Sequence, residues 1–150
     1  MKILISNEQD DLAIPALFFE KMVALLIESE AVRCDEIHLN FVDEKTITQL
    51  HADYFDDPTP TDCITFPIDD ANAPYRLLGE VVVCPLTALK YTELHGGDVQ
   101  EELMLYVIHG LLHLLGYDDI EEEDREAMRQ AEAKMMNLVK PKFLNPRQSH

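Results

Sequence analysis

The segment His109-Gly-Leu-Leu-His113-Leu-Leu-Gly116-Tyr-Asp-Asp119 constrains this chain more than any other. It places two imidazoles four residues apart in an apolar run, and residues four apart on a helix project from one face. Gly116 tolerates the left-handed geometry of a helix C-terminus. The chain is therefore expected to reverse beneath the two histidines and bring Asp118 or Asp119 back toward them. Neutral imidazole nitrogens completed by a third donor make an open zinc site. The pattern H-x3-H-x2-G-x2-D thus reads as a metal centre on a helix and the turn after it.

A histidine pair at this spacing arises by chance roughly 0.2 times in a chain of this composition, whereas the glycine and the sixth-position ligand lower that to about 0.002. The spacing resembles that of the metzincin proteases, H-E-x-x-H-x-x-G-x-x-H. In those enzymes the glutamate after the first histidine is the general base, but the corresponding residue here is Gly110. Peptide hydrolysis therefore ranks below other metal-dependent hydrolysis. In the latter, the base is metal hydroxide, a carboxylate such as Asp118, or the substrate itself.

His109 to Asp118 resembles the H-G-x-L-H-L-x-G-Y-D-H signature of the YbeY family, bacterial single-strand-specific endoribonucleases of ribosomal RNA maturation. Pro60-Thr61-Asp62-Cys63-Ile64-Thr65-Phe66-Pro67 is similar to the family's P-T-[DN]-V-L-S-F-P, and Leu78-Gly79-Glu80-Val81-Val82-Val83-Cys84 to its L-G-D-[IL]-V-I-C. The resemblance runs over roughly residues 36 to 138. It implies a zinc-dependent endoribonuclease with one zinc per chain held by His109, His113 and Asp119. Thr61 and Thr65 would contact RNA, and Asp62 and Asp118 would be catalytic carboxylates. It further implies action at the 3′ end of the small-subunit ribosomal RNA, with the small ribosomal subunit and an Era-type GTPase as partners rather than DNA or a membrane.

Two residues depart from that family pattern. Asp119 stands where the family has its third histidine, and Tyr54-Phe55 stands where it has Y-R. A carboxylate is an acceptable zinc ligand, but it leaves less positive charge on the metal to acidify water. Phe55 cannot grip phosphate as an arginine does, which leaves Arg76 as the nearby substitute. A net charge of −17 is likewise unfavourable for RNA, because phosphate binding draws on Lys and Arg. Lys140, Lys142 and Arg147 offer a small local patch in the tail. Affinity then falls to a protein partner or to the assembled ribosome.

The pattern predicts an α+β fold, one four-stranded mixed sheet packed with about five helices. Strands are expected at Lys2 to Ser6, Glu36 to Val42, Cys63 to Ile68 and Glu80 to Cys84. Helices are expected at Ile14 to Ile27, from the cap Asp43 to Tyr54, from Pro85 to Leu94, from the cap Asp98 to Leu115, and at Ile120 to Leu138. Pro58 and Pro60 predict an irregular loop. On the motif helix, Glu102, Tyr106, His109 and His113 form one expected cleft-facing stripe. His38, His51 and His95 have no ligand-spaced partner and read as structural or exposed.

Residues 1–150 are expected to form a single domain, with the last ten or so as a flexible tail. Three scattered cysteines without a C-x-x-C pair, no apolar run of membrane length and no cleavable signal point to a reduced, cytoplasmic protein. The alternatives are a metal-dependent hydrolase of another class and a noncatalytic ribosome-assembly factor with a structural metal. In the latter, Cys63, Cys84 or Asp118 would supply a fourth ligand.

Overall fold

The computed structural model describes residues 1–56, 61–68 and 72–143. Four strands, β1 (Lys2–Glu8), β2 (Glu36–Val42), β3 (Cys63–Pro67) and β4 (Leu77–Val83), form one mixed sheet in the order β1-β2-β4-β3. β1, β2 and β4 run parallel, and β3 returns antiparallel to β4 as an edge. Five helices complete an α+β fold: α1 (Ala16–Ser29), α2 (Glu44–Phe55), α3 (Pro85–His95), α4 (Val99–Leu114) and α5 (Glu122–Phe143).

The side chains of a strand alternate between faces, and each face of this sheet has its own cover. Ile37, Leu39 and Phe41 of β2, with Val81 and Val83 of β4, join the main core with α1, α4 and α5. Val42, Val82 and Ile64 join a smaller cluster with Ile47 of α2. α4 lies at the centre. Its Leu103, Met104, Ile108, Leu111 and Leu112 are essentially inaccessible, and each fully buried Leu or Ile stabilises by about 1.5–3 kcal/mol.

Local chemistry explains where the helices begin. Asp43 accepts from the Thr46 N–H at 2.8 Å and Asp98 from the Glu101 N–H at 3.0 Å, satisfying donors that a helix start leaves unpaired. The ends are less local. α5 outruns its expected stop at Leu138 because Val139 is buried against the core. One residue on, Lys140 pairs with Glu101 at 2.7 Å. Residues 141–143 of the expected tail therefore belong to α5, and the rest of the tail, like Pro58 and Pro60, lies outside the described residues. β4 starts three residues early, since Leu77 pairs with Glu36 of β2.

Candidate active site

The C-terminus of α4 shapes the site. Gly116 adopts φ 104°, the Gly116 N–H donates to the His113 carbonyl at 3.1 Å, and the Tyr117 N–H donates to the Leu112 carbonyl at 3.0 Å. These two bonds form a Schellman ending, which satisfies terminal carbonyls while turning the chain back. The turn then brings the Tyr117 carbonyl to 3.1 Å from His113 Nδ1, so that Nδ1 carries the proton and Nε2 is left as an acceptor. Two residues later Asp119 folds under the helix.

The donor atoms converge. His109 Nε2 lies 3.0 Å from His113 Nε2, and Asp119 Oδ2 lies 3.5 Å from the first and 3.4 Å from the second. Nitrogen and oxygen ligands at zinc bond lengths and tetrahedral angles are about 3.4 Å apart, so the triangle has the size and donor set for one such ion. Among the described residues no fourth His, Cys, Asp or Glu joins this cluster. Three protein donors with a free position is the open type of zinc site rather than the closed structural type.

Glu132 of α5 supports the triad from behind. Its Oε2 accepts from His109 Nδ1 at 2.7 Å, which orients the ring and directs Nε2 toward the cleft. The carboxylate raises the His109 pKa above its ordinary value, against desolvation, which lowers it. Sequence reasoning missed this residue, although a signal was present. Met128, Met135 and Val139 line the buried side of α5, and Glu132 falls on the same stripe, where a carboxylate requires a partner.

A cleft of about 340 Å³ opens over the triad. One wall is Thr61 to Thr65, running into the edge strand β3, and the other comes from α2 through His51 and Phe55. Of the residues singled out from sequence, Thr61, Asp62, Thr65, His109, His113 and Asp119 are brought together here. Asp118 is not. It faces a separate depression with Asp124 and Ala127, and its Oδ1 accepts the Asp119 N–H at 2.7 Å. Successive residues in an extended turn point apart, so only one of the two aspartates can reach the histidines.

Arg76 also lies elsewhere. It immediately precedes β4, whereas Val83, at the far end of that strand, pairs with Cys63 beside the cleft. Its backbone N–H donates to Asp35 and its guanidinium to the Arg33 carbonyl. The expected stripe is broken as well, because Tyr106 is buried and Glu102 lines a different depression near Lys140. His51, expected to be merely structural or exposed, lines the cleft. No lysine or arginine is among the described residues that line it.

Gly110 accounts for the missing protease base. A Cβ built there would lie 2.6 Å from Val81 Cγ1 and 2.7 Å from Cys63 Sγ. This side of α4 is packed directly on β3 and β4, and a glutamate cannot be accommodated without separating helix from sheet. Burial also pushes the Cys63 thiol pKa up, which disfavours the thiolate needed of a zinc ligand.

The family model described as Endoribonuclease YbeY matches residues 4–140. The chain is 51% identical over 136 residues to the Endoribonuclease YbeY of Protochlamydia amoebophila, covering 90% of this chain and 91% of that protein. It is 41% identical over 135 residues to that of Chlamydia trachomatis serovar D, covering 87% and 83%. The solution structure of TM1509 from Thermotoga maritima superimposes with a TM-score of 0.69 at 25% identity, over 99% of this chain and 95% of that one. A match to the family model along nearly the whole chain, with relatives of similar length and a shared fold, means that this chain belongs to the YbeY endoribonuclease family.

Proposed function

We propose that this chain is a zinc-dependent, single-strand-specific endoribonuclease of ribosomal RNA maturation. The observation that carries the reading is the convergence of His109 Nε2, His113 Nε2 and Asp119 Oδ2 at the floor of an open cleft, in a chain of the YbeY family. These three residues would hold one zinc ion. A bound zinc supplies Lewis-acid polarisation of a phosphoryl oxygen and lowers the pKa of water.

The chain's own residues have distinct tasks in this reading. Tyr117 and Glu132 fix the two imidazoles by accepting their Nδ1 protons. Asp62 is the one carboxylate outside the triad among the described residues that line the cleft, and it orients the attacking group or takes its proton. Thr61 and Thr65 offer hydroxyls to the ribose-phosphate backbone. Asp118 and Arg76 have no part in it, given where they lie. The family further suggests cleavage at the 3′ end of the small-subunit RNA, an Era-type GTPase and the small ribosomal subunit as partners, and a cytoplasmic location. No helix among the described residues is long and apolar enough to cross a membrane.

One observation favours a second reading, a noncatalytic ribosome-assembly factor. The cleft has no lysine or arginine among its described lining residues and the chain carries a net charge of −17, so RNA would be held weakly without help. Cleavage of a single-stranded RNA by the zinc-loaded parent, with His113→Ala of equal melting temperature as control, decides between them. Cleavage by the parent alone supports the enzyme. Failure of the fully loaded parent to cut RNA, alone or on small subunits, supports the assembly factor.

A further inference from the structure

We propose that Phe55 is a stacking platform for an unpaired nucleobase beside the metal triad, and that it takes the place of a cationic phosphate grip in this chain. The inference rests on the nuclease reading above and specifies what its cleft recognises. Phe55 is 53% exposed although it lines the same cleft as His109, His113 and Asp119. An aromatic ring of this size is costly to leave in water, and its position at a catalytic cleft mouth gives that surface a use.

The local structure holds the ring there. Phe55 is the last residue of α2, and Asp56 ends the helix in the left-handed conformation at φ 55°. His51, one turn earlier on the same face, sits with its ring centroid 5.7 Å from that of Phe55 at an interplanar angle of 48°. Tyr54 is tied off separately by an edge-on contact with Phe66 at 5.0 Å. Phe55 is thus the one Phe, Tyr or Trp ring among the described residues of the cleft lining, with Thr61 and Thr65 on the β3 side.

Charge points to the same occupant. Asp62 and Asp119 make the cleft acidic and no lysine or arginine among its described lining residues offsets them, so attraction for the phosphate backbone away from the metal is weak. Base–aromatic stacking needs no charge and works with any base, because every base has a π face. In a duplex those faces are already stacked on their neighbours. Phe55 therefore favours single strands over duplexes without reading sequence.

The test is equilibrium binding of the zinc-loaded chain to two strands of equal length, a 2′-O-methyl oligoadenylate recovered intact and a ribose-phosphate strand lacking bases. The parent is expected to prefer the base-bearing strand by roughly 5- to 150-fold, the range for one stacked base. Phe55→Ala removes most of that preference, Phe55→Trp restores it, and binding to the baseless strand is the same for all three. Melting temperatures confirm that folding is unaffected, as expected at an exposed position. The platform is overturned if the parent shows no preference between the strands, or if Phe55→Ala keeps it. Cleavage of unmodified RNA, measured in parallel, separates the two readings. A parent that cuts RNA while Phe55→Ala binds like the parent leaves the nuclease and removes the platform. A parent whose preference depends on Phe55 but which cuts nothing leaves the platform and removes the nuclease.

Discussion

The two sides of the cleft are built differently. The floor belongs to α4, a helix embedded in the main core, whose end is closed by two backbone bonds and whose histidines are each fixed through Nδ1. The rim belongs to α2, which buries only Ile47 and presents Phe55 to solvent. A metal centre demands donors within tenths of an ångström, and such accuracy requires rotamers locked by packing. Substrate contact tolerates more variation. The difference suggests that changes on the floor alter metal and fold, whereas changes on the rim and at Thr61 and Thr65 of the β3 wall alter substrate binding.

The largest expected effect tests the floor directly. His113→Ala should lose the bound zinc by elemental analysis and reduce RNA cleavage more than about 100-fold, since even the outer partners of ligands contribute 10- to 100-fold. Zinc retained at parental stoichiometry would break the assignment. Glu132→Gln should weaken zinc affinity by about 10- to 100-fold in a competitive chelator titration. It also has a signature without metal. Because Glu132 raises the His109 pKa, its contribution to the stability of the chelated protein is fully present below the unfolded histidine pKa and is lost as pH rises through the raised folded value. Denaturant titrations of parent and Glu132→Gln should therefore diverge at low pH and converge at high pH.

Gly110→Ala should destabilise by about 1–3 kcal/mol through overpacking, measured as a lower denaturation midpoint. Parental stability would mean that α4 can shift on the sheet, and that the floor is less rigid than its contacts indicate. Thr61→Val, on the β3 wall, should raise KM for RNA by a few-fold, within the roughly 0.5–1.5 kcal/mol of one hydrogen bond, with zinc content unchanged. A loss of zinc there would erase the division between walls. Asp119→His should produce the smallest change, a shift of the cleavage pH profile to lower pH by about one unit or less, because a neutral donor leaves more positive charge to acidify solvent. A profile that stays in place would remove the charge argument.

The metal triad was legible because its geometry is short-range. The histidines lie four positions apart, Gly116 stops the helix, and the reversal within the next three residues was implied by that glycine. Spacing alone left Asp118 and Asp119 both open, since one residue of difference in an irregular turn depends on contacts such as the Tyr117 bond to His113, whereas the family pattern pointed to Asp119, the residue that the structure brings to the histidines. The strands and helix caps followed from alternation and from Asp43 and Asp98. Arg76, read as the nearby cation, is not among the described residues that line the cleft, because proximity in sequence says nothing about which end of a strand faces a site. His51 carried almost no signal, as it meets the rest of the cleft through residues remote along the chain, and Glu132 was marked only by its place on the buried stripe of α5, its partner lying 23 residues away.

The sequence by itself determined the family, the α+β element order, the helix that bears the metal donors and the turn that completes them, because periodicity, capping and an eleven-residue pattern act over a short stretch of chain. Only the tertiary structure decided that Glu132 braces His109 across 23 residues, that Gly110 rests on the sheet, and that Phe55 faces the cleft. Those are contacts between elements. They depend on how helices seat against a twisted sheet, which is set by the packing of the whole core rather than by any local run of residues.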